Sequence, residues 1–333
     1  MIRAIAVTGG KAPGQLVDVE VERPQPGPND LLVEVRAVSV NPVDTKVRAS
    51  AGPNSTERIL GYDAAGIVLE VGIQVTLFKP GDEVYYAGDL TRSGTNAQLH
   101  LVDERIAGPK PLSLTHAEAA AVPLTAITAW EVLFERLRLN RDGGQGKRIL
   151  ILGASGGVGS MLTQLAAKLT QLEVIATAST PASQAWAIRN GAHRTINHHN
   201  LGEELPALGA VDYVASLSGT EANFSAICAA IAPQGAIAVI DDPARLDITP
   251  LKSKSVSVHW ELMFTRSMFQ TSDMLEQHRL LSEVSTLLDE GILRTTVAEV
   301  LSPIDAETMR EAHARVTQGG TPGKIVVSGW RGE

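Results

Sequence analysis

A single cysteine, Cys228, stands among 333 residues, so no intramolecular disulfide can form and the chain suits a reducing compartment. Excess positive charge is missing as well, with 29 Lys and Arg against 37 Asp and Glu and a formal net charge of -8. Nucleic-acid backbones and anionic membrane surfaces attract surplus cations, so neither is expected as a main partner, and small molecules remain. Long apolar runs are also lacking. The opening MIRAIAVTGG has no signal-peptide core, and no stretch approaches the roughly 20 residues of a membrane span, which makes the cytoplasm the expected location. Large aromatics are scarce, at four Trp, four Tyr and five Phe, so any segment that gathers several is informative.

What is present is 44% hydrophobic residues, enough to bury a sizeable core in two domains. The first third reads as strands. In DLLVEVRAV (30–38), Val33, Val35 and Ala37 alternate with Glu34 and Arg36, the period of a half-buried strand. Similar runs at Ile2–Val7, 17–21, Ala64–Val71, 82–86 and 98–102 are separated by the turn signals PQPGPND and KPGD, which predicts a barrel-like domain. From Thr115, a candidate N-cap with Glu118 three residues on, the pattern becomes helical and continues past Pro123 to Leu139. Strands and helices then alternate: strand Arg148–Leu152, helix 158–169, strand 173–178, helix 182–190, strand 211–215, helix 221–232, and strands 235–240 and 255–260. Such alternation predicts an α/β fold with a doubly wound parallel sheet. A helix beyond Ser272, another at 305–317 and a strand at 324–328 return to the first domain.

The densest signal is ILILGASGGVGSML (149–162), where an apolar run breaks into small residues and resumes. Placed between a strand and a helix, Ala154-Ser155-Gly156-Gly157-Val158-Gly159 is a dinucleotide fingerprint with Ala in the first place, its backbone amides and helix dipole suited to a pyrophosphate. Gly156 would let phosphate approach, Gly159 would let helix and strand pack closely, and Val158 would point into the core. An NAD site places Asp or Glu about 20 residues on; here Thr177, Ala178, Ser179 and Thr180 offer hydroxyls and no carboxylate, which favours NADPH over NADH. GGQGKR (143–148) precedes its strand and reads as a turn. His193, His198 and His199 lack companion ligands at metal spacing and read as solvated loop residues.

SVNPVDTKVR (39–48), LGYDAAGIVLEVG (60–72), KPGDEVYY (79–86), AAAVPLTAITAWE (119–131), the glycine turn and PGKIVVS (322–328) together resemble the medium-chain dehydrogenase/reductase superfamily, in its zinc-free quinone oxidoreductase branch. The resemblance implies a GroES-like β-barrel catalytic domain at 1–124 and 271–333 and a Rossmann cofactor domain at 125–270. Zinc-dependent relatives carry Cys and His where this chain has Asn41 and Tyr62, a second Cys near Leu124, and four clustered cysteines besides. No zinc is therefore expected, and reduction of an already electrophilic quinone or enone replaces alcohol oxidation. Asn41 and Asp44 would lie at the cleft between domains, Asn41 facing the nicotinamide and Asp44 fixing its surroundings; turn chemistry around Pro42 is the alternative. Tyr62 would donate to the developing oxyanion, or merely pack at the barrel mouth. Thr128 would touch the nicotinamide side, and SLSGT (216–220), with Ser218, the adenosine side. HWELMFTRSMFQ (259–270) gathers Trp260, Met263, Phe264, Met268 and Phe269 and resembles the family's dimer strand and pocket wall, so a homodimer is expected. Arg266 would pair with a phosphate or with a carboxylate. The rival readings are a 2-enoyl thioester reductase and a dinucleotide-binding protein without catalysis.

Overall fold

Alternating apolar residues in the first third do form strands. A computed structural model describes residues 1–9 and 14–332, and the chain divides into two compact units, Met1–Leu124 with Phe264–Glu333 and Thr125–Met263. The first unit opens with β1 (Ile2–Val7), β2 (Leu16–Val21), β3 (Asp30–Val40), α1 (Pro42–Ala49), β4 (Arg58–Ile59), β5 (Ala64–Val71), β6 (Glu83–Tyr86), β7 (Leu99–Asp103), β8 (Ala107–Pro109) and α2 (His116–Ala120). Thr115 caps α2 through the reciprocal pair with Glu118 that the sequence signals. β2-β1-β4 form one sheet, and β3, at 11 residues the longest strand, is the spine of another. Inward residues of both sheets, among them Ile5, Leu16, Val33, Val35, Val38 and Leu60, share one core.

The second unit follows from α3 (Pro123–Trp130) through a π-helical turn (Glu131–Arg136) to β9 (Arg148–Leu152), α4 (Gly157–Leu169), β10 (Glu173–Thr177), α5 (Pro181–Arg189), β11 (Arg194–Ile196), α6 (Leu201–Leu208), β12 (Val211–Ser216), α7 (Thr220–Ala230), β13 (Ile231–Val239) and β14 (Ser257–Trp260). All pairings are parallel, in the order β11-β10-β9-β12-β13-β14. Counting strands from β9, that is 3-2-1-4-5-6, the doubly wound order whose direction reverses beside the first strand. Leu150, Leu152, Ile175, Val214, Ile237 and Val239 fill the core beneath it, where trimming one Leu to Ala costs about 2–5 kcal/mol. The histidine segment is not the plain loop expected. His193 accepts the Val174 N–H on its ring Nδ1 at 2.9 Å, β11 follows it, and His198 and His199 open a 3₁₀ turn with their rings 4.1 Å apart.

The chain re-enters the first unit at Phe264 rather than at 271, because Phe264 is buried edge-on against Tyr62 with ring centroids 5.5 Å apart. α8 (Thr265–Phe269), α9 (Leu275–Asp289), β15 (Val297–Leu301), α10 (Ala306–Gln318) and β16 (Lys324–Ser328) complete it, and β15-β16-β3-β5-β6-β8 is the resulting order of the larger sheet, with β7 pairing β3. Arg266 meets the carboxylate of Asp273 at 3.0 Å, one of its two expected pairings. Among the described residues no helix is long and apolar enough to cross a membrane.

Candidate active site

In the second unit the glycine turn sits at the carboxyl edge of the sheet, where the strand order reverses. Gly153 takes φ +74°, a left-handed conformation that a side chain would strain, and its N–H donates to Thr177 Oγ1 at 3.0 Å, tying the turn to the end of β10. The loop after β12 arrives on the other side, with Ser218 Oγ 2.6 Å from where a Gly153 Cβ would be. A Cβ on Gly159 would lie 2.3 Å from Gly153 O and 2.5 Å from Ala154 Cα, so only glycine allows α4 to approach β9 this closely. At Gly156 the nearest atom to an added Cβ is 3.5 Å away, which leaves the helix start open. Gly156 is the N-cap and no side chain caps α4. Its first amides therefore face outward without a protein acceptor, with the positive end of the helix dipole behind them. Ala154 is buried, while Ser155, Gly156 and Gly157 are half-buried. Val158 is also half-buried rather than in the core as expected, because its place in the first turn of α4 lies outside the strand–helix contact. Ser179 is exposed just past β10, and Thr128 is buried on α3.

The first unit brings Asn41, Asp44 and Tyr62 together around a group that composition did not signal, the buried pair Asp63 and Lys324. Asp63 Oδ2 accepts from Asn41 Nδ2 at 2.8 Å and from Ser39 Oγ at 2.9 Å, while Oδ1 accepts the Leu124 N–H at 2.8 Å. Lys324 Nζ stands 3.4 Å from Asp63 and donates to Val40 O at 2.8 Å and to Asn41 Oδ1 at 2.5 Å. Burial pushes Asp63 up and Lys324 down, and each opposes the other's shift by its charge. Asn41 thus has both ends of its amide hydrogen-bonded inside the unit. Asp44 accepts the Asn41 N–H at 2.7 Å, fixing the start of α1, and its Oδ1 has no hydrogen-bond partner. Burial raises this carboxyl to about 7, against the Asn41 amide and the Lys324 charge.

Tyr62 is fully buried. Its hydroxyl accepts from Arg58 Nη2 at 3.0 Å, and no acceptor for its own proton lies among the described residues. Burial pushes it up to about 12 although the Arg58 guanidinium pulls the other way. Arg58 also donates to Leu90 O and lines a groove of about 350 Å³ with Ala6, Val21, Glu57, Ile59, Thr91 and Arg92 among its walls.

Residues 27–128 match the alcohol dehydrogenase GroES-like domain family and residues 190–327 the zinc-binding dehydrogenase family. A zinc-type alcohol dehydrogenase-like protein of Staphylococcus aureus is 36% identical over 316 residues, 93% of each chain. The chain belongs to the medium-chain dehydrogenase/reductase superfamily. A solved Rhizobium etli structure labelled as a zinc-dependent alcohol dehydrogenase protein is 52% identical, covers 99% of this chain and 98% of its own, and superposes with a TM-score of 0.94. A Pseudomonas syringae quinone oxidoreductase structure is 26% identical over 98% of this chain and all (100%) of its own, with a TM-score of 0.81. The match places the chain in the quinone oxidoreductase-like branch, as an oxidoreductase of the medium-chain dehydrogenase/reductase type.

The superfamily's zinc does not fit the residues present. Where the resemblance places zinc ligands stand the Asn41 amide, already bonded at both ends, the Tyr62 phenol, bonded to an arginine, and no cysteine near Leu124, so the thiolate and imidazole donors that zinc prefers are missing there. Among the described residues no group of three or more His, Cys, Asp or Glu side chains could hold a metal ion. Sequence reasoning missed Arg58, Asp63 and Lys324, although a charge inside GYDAAG or next to IVVS is the kind of polar residue in an apolar run that needs a partner. It also missed Glu131 and Glu261, buried in the second unit around Arg136, whose Nε lies 2.7 Å from Glu261 and whose Nη2 lies 3.9 Å from Glu131.

Proposed function

We propose that the chain is an NADPH-dependent reductase of quinones or α,β-unsaturated carbonyls that works without zinc. The observation that carries this reading is the uncapped start of α4 at the strand-order reversal, where the Gly157 and Val158 amides and an unobstructed Gly156 suit a diphosphate. Ser155, Ser179 and Ser218 would supply hydroxyls to phosphate and ribose, and Thr128 would meet the nicotinamide end. NADPH is preferred over NADH because residues 177–180 place no carboxylate where it would repel a 2′-phosphate. Reduced nicotinamide, when bound, supplies a hydride.

The chain's remaining task is to meet the negative charge that grows on the acceptor oxygen, and the unused proton of Tyr62 supports that role. Asn41 and Asp44 act as positioning residues: one holds Asp63 and Lys324, the other holds the start of α1. With no Lewis acid to polarise an unactivated alcohol, a conjugated acceptor that spreads its own charge is the easier substrate. A homodimer through β14 is supported by that strand's free edge and by Trp260 and Leu262, 59% and 49% exposed. The test mixes purified protein with NADPH or NADH and a panel of quinones and enones, with and without chelator, following loss of the reduced cofactor's absorbance. Faster turnover with NADPH, indifferent to chelator, is expected. Stoichiometric zinc or activity abolished by chelator would overturn the metal-free mechanism, and equal turnover with NADH the cofactor choice.

A further inference from the structure

Among the described residues Arg58 has no carboxylate partner. Its hydrogen bonds run from Nη2 to the Tyr62 hydroxyl and to Leu90 O, while its neighbour on the groove wall, Arg92, spends its charge on Asp30 in a two-point pair at 2.8 and 3.0 Å. Asp89, the nearby acid, accepts the Thr91 N–H and hydroxyl on Oδ1 and makes no ion pair with Arg58 among the described residues. A guanidinium has only donors, so the Tyr62 oxygen must be the acceptor in this contact. A phenolic proton lies close to the ring plane, on one side of the oxygen or the other. With Arg58 on one side, the proton is turned to the other, where no acceptor lies among the described residues.

We infer that Arg58 is the positioning residue that fixes Tyr62 as a proton donor to the acceptor's oxygen. The inference rests on the reductase reading above and extends it. Hydride adds to the β-carbon of an enone and the π pair moves to the carbonyl oxygen. The Tyr62 O–H bond then breaks towards that oxygen, and its electron pair stays on the tyrosyl oxygen facing Arg58 Nη2. Water returns a proton to Tyr62, and the enol so formed becomes the ketone as its α-carbon takes a proton from solvent and its oxygen gives one back, so one enone, one NADPH and one proton become the saturated ketone and NADP⁺. The charged groups acting on Tyr62 are Arg58, which favours the tyrosinate, and Asp44 and Asp89, which oppose it; Phe264 packs against the ring without charge. Removing Arg58 therefore leaves two acids and burial against proton release.

The test measures kcat and KM for an acceptor the wild type reduces, in H2O and D2O, for Arg58→Gln, Arg58→Lys, Tyr62→Phe and the double variant Arg58→Gln/Tyr62→Phe. Tyr62→Phe is expected to lower kcat about 100-fold, within the range of general acid catalysis. Arg58→Gln should approach that loss, with KM for NADPH within about twofold and a larger D2O effect. Arg58→Lys should recover most of the rate because it keeps the charge. The double variant should be no worse than Tyr62→Phe alone, since the arginine acts through the tyrosine. Losses that multiply in the double variant, or a lysine variant as poor as the glutamine one, would overturn the role. An unimpaired Tyr62→Phe would remove the tyrosine from the reductase reading while leaving dinucleotide turnover intact. A second readout needs no turnover: with fluorinated tyrosine incorporated throughout, the ultraviolet titration component that vanishes in Tyr62→Phe should move to higher pH in Arg58→Gln and stay near the wild type in Arg58→Lys. An unmoved component would overturn the coupling even in a protein that reduces no acceptor.

Discussion

Asp44 and the Asp63–Lys324 pair make the first unit sensitive to single atoms. The Asp44 carboxyl is raised to about 7 when folded against 3.8 unfolded, so both states hold the proton below about pH 4 and only the folded state holds it between about 4 and 7. Its contribution to stability is therefore full in acid and is lost as pH rises through that window. Replacing Asp44 with Asn should flatten this part of the pH profile of the thermal midpoint, and a profile unchanged from the wild type would show that Asp44 ionises normally. Lys324 poses the opposite case. Substitution by Met would leave Asp63 buried without its cation, and urea unfolding should report a loss of about 3–5 kcal/mol. A loss below about 1 kcal/mol would mean that the donors on Asp63 already suffice.

At the scale of elements, the two glycines of the α4 turn should separate folding from binding. Gly156→Ala meets nothing closer than 3.5 Å, so it should keep the wild-type melting temperature yet weaken NADPH binding by about tenfold in a fluorescence titration, because the new methyl occupies the phosphate approach. Gly159→Val must push α4 from β9 and should lower both. That much was legible in the sequence because β9 and β10 are apolar runs with a tight turn between β9 and α4, a pattern set by local chemistry. β11 was not legible, since Arg194-Thr195-Ile196 is a short edge strand beside polar residues, and α6 was masked by Pro206 inside it. β14 starts two residues late because Ser255 takes φ +53° and closes a 3₁₀ turn first. The Asn41–Lys324 bond spans 283 residues, so no window on the sequence contains it. The Tyr62–Arg58 contact is close in sequence, yet its meaning depends on the burial that surrounds it.

For the molecule as a whole, the exposed apolar residues beside β14 bear on assembly. Leu262→Asp adds a charge to a free-edged strand region and should shift the protein to a monomer in sedimentation velocity if that edge joins two copies. An unchanged sedimentation coefficient would place any self-association elsewhere. The segment from Thr125 to Met263 interrupts the first unit, and this has a temporal consequence. The ammonium that balances Asp63 belongs to β16, which follows the second unit in sequence, and β16 is also the strand that pairs with β3. During synthesis the Rossmann-type unit emerges whole and can settle while the barrel still waits for its final strand. A chain that stopped before residue 324 would leave the β16-facing edge of β3 uncovered and Asp63 without its balancing charge.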